Sequence, residues 1–492
     1  MKLKSLFLFF ALMMGSAMIA NAQKDRMVFW VHGLGGDGSS WQKAAEATQL
    51  GNVSGFGPTK IVSAQLSYSE FNNAISTASD KLNQDVVTTW NGLKPQYSGI
   101  TDKTKNFIIA HSQGGIVSRY MDKRYQDFPQ AFGDRNFGGI VTFGTPHQGA
   151  IALNNQAMLQ QLMAEGCTDV LAGPGYEPVA SNFTLSLVIT STDIKKVLES
   201  ACNFVAFKIV PILASDFISP INQDYRVGAS VISEINSVQT QTQKVAFYGI
   251  ENDPIMWRML YSLEEKQPNL FDPFTADPDS RLIGEVNRNL LIYQTKVIES
   301  QNEYNNLGSQ YCPWWAWLTP PSAIYCTIND AAVNKKRKTQ LDRRDAWTKG
   351  VNWWLNANNR YKAAVGAAEV VGTFSTAYEC DCASYDGNGN QGNSWSGVAS
   401  TPEECYSQGS YDQGSGAYTN CYLGTPTTIV TYSVVDVPSD GLVQASSASG
   451  YPGAATKEMI GSNHQQMRND SNTKDRLNEL YYGIHGEYFR SR

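Results

Sequence analysis

FIIAHSQGGIVSRY, running from Phe107 to Tyr120, changes its period in the middle. Phe107-Ile108-Ile109-Ala110 is a short, wholly apolar run, the length of a strand buried on both faces. Beyond Gly114-Gly115 the apolar residues return at helical spacing, and Ser112 sits at the switch. A serine on a sharp turn from strand to helix matches the nucleophile elbow, G-x-S-x-G, with Ala110 at the first small position and Gly114 at the second. Such a turn is strained, and the backbones flanking the serine pass too close for large side chains. A plain βα turn is the bland alternative; a strand before and a helix after favour the elbow.

The same alternation extends outward. Met27–Val31 reads as a strand running into His32-Gly33-Leu34-Gly35-Gly36, a turn whose backbone N–H groups are free to face a ligand. Trp41–Thr48 reads as a helix, Lys60–Tyr68 as a strand, and Asn73–Leu93 as a long amphipathic helix. Phe137–Thr145 is another buried strand, ending in Pro146-His147-Gln148-Gly149. Strands alternating with helices predict an α/β fold: a mostly parallel central sheet with helices on both faces.

Two large, mainly helical insertions interrupt this pattern. Residues 150–243 form the first; its apolar stretch Leu185–Ile221 reads as helices over the sheet, either a fixed cap or a mobile lid. Residues 244–253 return to the core with the strand Lys244–Ile250. Residues 254–426 form the second insertion, with helices at Arg281–Asn305 and Asp330–Ala364 and then a Cys/Gly-rich loop. Residues 427–492 resume the core, with Thr428–Val435 as its last strand. Asp386-Gly387-Asn388-Gly389-Asn390 resembles the opening of a calcium loop but lacks the closing acid, so a disulfide-held loop is the preferred reading and no cofactor is required.

Residues 1–22 read as a signal peptide: Lys2 and Lys4, an apolar core, then Ala20-Asn21-Ala22 before Gln23. The core of the fold then starts at residue 23 and its first part runs to 149. Export places the protein in the periplasm, on the outer surface or outside the cell. No later stretch reaches transmembrane length. The net charge of −6, or −8 without Lys2 and Lys4, argues against a nucleic-acid partner. The 8 cysteines allow about 105 complete pairings. Cys312 with Cys326 makes a local loop, and Cys380 and Cys382 pair more readily with Cys405 and Cys421 than with each other.

A serine hydroxyl needs a base, normally a histidine oriented by a carboxylate. The chain has 5 histidines. His111 adjoins the serine and should point to the other side of the turn. His464 lies beyond the last strand, where Ser…Asp…His order puts a base; His147 and His485 are the alternatives. Asp440 precedes His464 at a strand end, while Glu251 and Asp253 follow another strand and compete as the acid. Oxyanion donors are expected at the Gln113 and Leu34 N–H groups.

VHGLGG, AHSQGG, FGTPHQGA, SDGLVQASSA and SNHQQM occur in the order found in bacterial triacylglycerol lipases, and the chain resembles these α/β-hydrolases. FGTPHQG also resembles the GPI inositol-deacylase relatives. The resemblance covers residues 27–150, 244–250 and 428–485. It implies Ser112 as nucleophile, Asp440 as acid, His464 as base, Leu34 and Gln113 as oxyanion donors, and a lipid or other acyl ester as substrate, with interfacial contact. Some family members hold a structural calcium through an aspartate two residues beyond the histidine; here that residue is Gln466. An acyltransferase with the same triad is the second reading. A non-catalytic surface-binding protein on this fold is the third.

Overall fold

The computed structural model describes residues 26–50, 60–68, 74–166, 224–263, 274, 281–307 and 320–491. It divides into two units, residues 1–367 with 438–492, and residues 368–437. The stretch Leu185–Ile221 and the Cys312–Cys326 pairing lie outside the described residues and side chains.

Among the described residues the first unit is built on six strands: β1 (Arg26–Val31), β2 (Ile61–Leu66), β3 (Phe107–His111), β4 (Gly139–Phe143), β5 (Gln243–Ile250) and β10 (Ala455–Ile460). Their spatial order is β10-β5-β4-β3-β1-β2, and every pairing is parallel. The chain steps from β1 outward to β2, then crosses back past β1 to β3. Clefts at such reversals lie outside the carboxyl ends of the strands, where backbone termini converge without crossing.

The central strands are apolar throughout because both faces are covered. Met27, Phe29 and Val31 pack with Ile108, Ala110 and Ile140 against α2 (Ile75–Leu93) and α3 (Gln113–Asp127). Val28 and Trp30, alternating with them, pack with Ile109, Phe143 and Phe247 against α1 (Gln42–Leu50) and α10 (Ser471–Tyr481). Of the first insertion, α4 (Gln156–Glu165) and α5 (Ser230–Asn236) are described. The second insertion starts with α6 (Ile255–Leu263), followed by the long pair α7 (Arg281–Leu307) and α8 (Pro320–Val365). Among the described residues no helix is long and apolar enough to cross a membrane.

Two sequence expectations change here. Thr428–Val435 is not a strand of the central sheet. It lies within β9 (Tyr418–Asp436), which pairs antiparallel with β6 (Ala368–Tyr385) in a separate sheet. The last central strand is instead β10, whose residues are exposed except for Met459. A partner-less edge needs no continuous apolar run, so its sequence, ATKEMI, carried no strand signal. The segment expected as a Cys/Gly-rich loop is the second unit's sheet. It is completed by β7 (Gln391–Ala399) and β8 (Ser410–Tyr411), in the order β7-β6-β9-β8. The insertion therefore ends at 437 rather than 426.

In that unit Cys380 bonds to Cys405 on α9 (Pro402–Ser407), and Cys382 bonds to Cys421 directly across the ladder. Asp386 closes the β6–β7 hairpin: its carboxylate accepts the Asn388 and Asn390 N–H groups at 2.9 and 2.8 Å. The calcium-like spelling thus coincides with an Asx-type turn whose acid is occupied by its own backbone.

Candidate active site

Ser112 follows β3 at φ 51°, the only non-glycine residue at positive φ among the described residues. Its N–H is tied to Phe143 O at 2.9 Å, and its carbonyl accepts Gly115 N–H at 3.0 Å. The glycines after it answer to specific neighbours. A Cβ on Gly114 would lie 2.2 Å from His32 O, and one on Gly115 would lie 2.0 Å from Thr145 Oγ1. The strained serine is therefore held by a helix start pressed between the ends of β1 and β4, and its side chain makes no capping hydrogen bond to that helix.

His464 lies in the loop after β10, with Nε2 2.8 Å from Ser112 Oγ. Its Nδ1 lies 2.8 Å from Asp440 Oδ2. The other Asp440 oxygen accepts Leu442 and Val443 N–H at 3.0 and 2.7 Å, and the Asp440 carbonyl accepts His464 N–H at 2.7 Å. Asp440 and His464 are both buried. This arrangement fixes the imidazole with Nδ1–H toward the carboxylate and Nε2 open to accept the serine proton.

The alternative acids are engaged elsewhere. Glu251 Oε1 lies 2.8 Å from Arg258 Nε and also accepts Asn252 N–H; burial raises its pKa. Asp253 pairs with Lys362 at 2.9 Å. The alternative bases are likewise placed away from Ser112. His147 bridges Arg119 Nη1 and Thr142 Oγ1 at 3.0 and 2.9 Å and stacks on Tyr451. Burial lowers its pKa well below the usual imidazole value, so it is a neutral packing group. His485 pairs with Glu479 at 2.7 Å.

Gly33 puts the β1 turn directly against the serine: a Cβ there would lie 2.8 Å from Ser112 Cβ. Leu34 follows in that turn, and Gln113 opens α3. The backbone N–H groups of Leu34 and Gln113 have no acceptor among the described residues. The Gln113 side chain accepts Tyr68 Oη–H at 2.8 Å. Tyr68 in turn stacks on His32, which donates from Nδ1 to Gly33 O at 2.8 Å.

Three contributions escaped the sequence. His111 does not point away from the site; its Nε2 donates to His464 O at 2.7 Å, and burial, the largest cause, keeps it neutral. Gly144, at φ 58°, leaves room for the pair: a Cβ would sit 3.0 Å from Asp440 Oδ2 and 3.2 Å from His464 Nδ1. Gly249 similarly clears Asp440 Cβ. The only local hint was glycine in FGTPHQG and FYGI, since the partners are hundreds of residues away. Gln466, at the position implied for a calcium-binding aspartate, accepts Asn463 Nδ2–H through its side chain at 2.9 Å.

A six-stranded parallel sheet, helices on both faces and a positive-φ serine between β3 and α3 decide the architecture. The chain has an α/β-hydrolase fold. Residues 21–172 match a family described as "Putative serine esterase (DUF676)". No match was found among curated proteins. Solved structures similar to this chain include phospholipase PlaB from Legionella pneumophila, at 11% identity over 81% of this chain and 81% of that one, TM-score 0.27. EstA from Clostridium botulinum is 12% identical over 48% of this chain and 63% of its own, TM-score 0.26. A mutant epoxide hydrolase from Vigna radiata is 14% identical over 46% of this chain and 74% of its own, TM-score 0.24. The family match supports a serine hydrolase in general terms.

Proposed function

We propose that this α/β-hydrolase is a serine ester hydrolase, a lipase or esterase acting on lipid or other acyl esters through an acyl-enzyme on Ser112. The observation that carries the reading is the continuous contact from Ser112 Oγ through His464 to Asp440, 2.8 Å at each step. In the reaction Ser112 Oγ attacks the ester carbonyl carbon while its proton passes to His464 Nε2. The carbonyl oxygen becomes an oxyanion facing the Leu34 and Gln113 N–H groups. Collapse expels the alcohol, which takes the proton from His464. Water, deprotonated by the same nitrogen, then releases the acid and restores Ser112. Asp440 stays ionised and supports the transient imidazolium. The two disulfides among the described residues support a location outside the reducing cytosol.

The test is a panel of short- and long-chain esters. Ser112→Ala should lose hydrolysis and fluorophosphonate labelling while keeping its fold. Asp440→Asn should lower kcat by about 10⁴-fold, the loss expected when the imidazole is left in the wrong tautomer. Near-native turnover in purified Ser112→Ala would refute the assignment.

A further inference from the structure

The loop that carries Asp440 is held from two directions. From the sheet side, Glu251 N–H donates to Ser439 O at 2.8 Å. From the inserted hairpin, Tyr361 near the end of α8 donates its hydroxyl to Gly441 O at 2.7 Å. Gln444, at the loop's far end, donates to Gly366 O just beyond α8, also at 2.7 Å. The insertion thus grips the loop at two points after the acid, while the end of β5 holds it just before the acid.

The grip is rigid because the end of α8 is built into a core. Trp353, Trp354, Ala357, Tyr361 and Val365 pack with Met256 and Trp257 of α6. Trp257 stacks on Trp354 at 5.1 Å, and Asn358 accepts Met256 N–H at 2.9 Å. Tyr361 is buried, and burial, followed by the nearby Asp440 charge, raises its pKa, so the hydroxyl remains a donor across the working range.

We propose that Tyr361 is a positioning residue for the catalytic acid: its hydroxyl holds the Gly441 carbonyl and thereby the turn whose N–H groups aim Asp440 at His464. This rests on the triad reading above. Gly441 sits at φ 92°, and the next two N–H groups are the ones that bind Asp440 Oδ1. Without the hydroxyl, a buried carbonyl loses its partner and the turn relaxes to find another, because an unsatisfied buried polar group is costly. Rotation of that turn moves both anchors of Asp440 together, and His464 loses part of its support.

Tyr361→Phe removes only the hydroxyl. With rates normalised to fluorophosphonate-titrated sites, we expect kcat on a soluble ester to fall about 5- to 50-fold while KM stays within about twofold, less than the loss on removing the acid itself. The acid limb of the kcat/KM profile should move to lower pH, because a carboxylate held less well favours imidazolium less. Asn358→Ala is the comparison: it cuts another contact of the same helix, one that does not touch the acid loop. It should lower the melting temperature and leave kcat and the acid limb in place. The proposal is overturned if Tyr361→Phe keeps native kcat and acid limb, or if it merely matches Asn358→Ala. Failure of the triad reading is seen separately, as activity in Ser112→Ala.

Discussion

Gly144 shows how little space separates an assembled site from a broken one. It takes a left-handed conformation after β4, and the volume a side chain would fill holds Asp440 Oδ2, His464 Nδ1 and the Met467 methyl. Gly144→Ala adds one methyl group. Met467 Cε, 2.5 Å from that Cβ, is the flexible end of a side chain and gives way, whereas the acid and the imidazole are fixed by their own hydrogen bonds. We expect a stability loss of about 1–3 kcal/mol from the strained φ. We also expect at least a tenfold fall in kcat, measured by urea unfolding and ester hydrolysis on the same preparation. Equal kcat in the variant would show that the acid–base pair tolerates displacement.

At the scale of elements, the chain fastens its sheet to its helices with buried polar joints. His147, just after β4, is one of them: it takes Thr142 from the strand, Arg119 from α3 and the Tyr451 ring. Its pKa is lowered, first by burial and then by the Arg119 charge. The unfolded chain therefore takes up a proton below about pH 6.5 that the native protein refuses, so this stability is present above that pH and lost as pH falls. His111, lowered for the same leading reason, acts in the same direction. Urea unfolding of wild type and His147→Gln between pH 5 and 8 checks this. Between pH 6.5 and 5 the slope of unfolding free energy should be flatter in the variant by up to about 1.4 kcal/mol per pH unit. Identical slopes would mean that His147 titrates normally.

At the scale of the whole molecule, the second unit leaves and re-enters the chain at one place. Ala368 and Asp436 are Cα partners in the β6–β9 ladder, so its two ends lie about 5 Å apart. Replacing residues 369–435 with a short Gly-Ser linker therefore requires no stretching of the remainder. We expect that protein to fold with a melting temperature within a few degrees of wild type and to hydrolyse a soluble ester within about threefold, since closing a short loop costs little. Calorimetry and activity on the excised form check it; an unfolded product would show that the first unit depends on the second.

The sequence alone determined the parts that leave local marks. β1, β3, β4 and β5 announced themselves as apolar runs because a strand covered on both faces can carry few polar side chains. The Ser112 turn announced itself through small residues, and α7 and most of α8 were readable as long helices, although α8 starts at Pro320 rather than Asp330. Tertiary structure decided what depends on distant partners. Glu251, Asp253 and Asp440 all follow strands, and the choice among them came from Arg258, Lys362 and His464. β9 read as a core strand until its pairing with β6 was seen, because an alternating apolar stretch does not specify which sheet receives it. β10 had no apolar run because it closes the sheet at an edge. His111 and Tyr361 lie 353 and 80 residues from the carbonyls they hold, and a hydrogen bond across such separations leaves no spacing for a sequence to show.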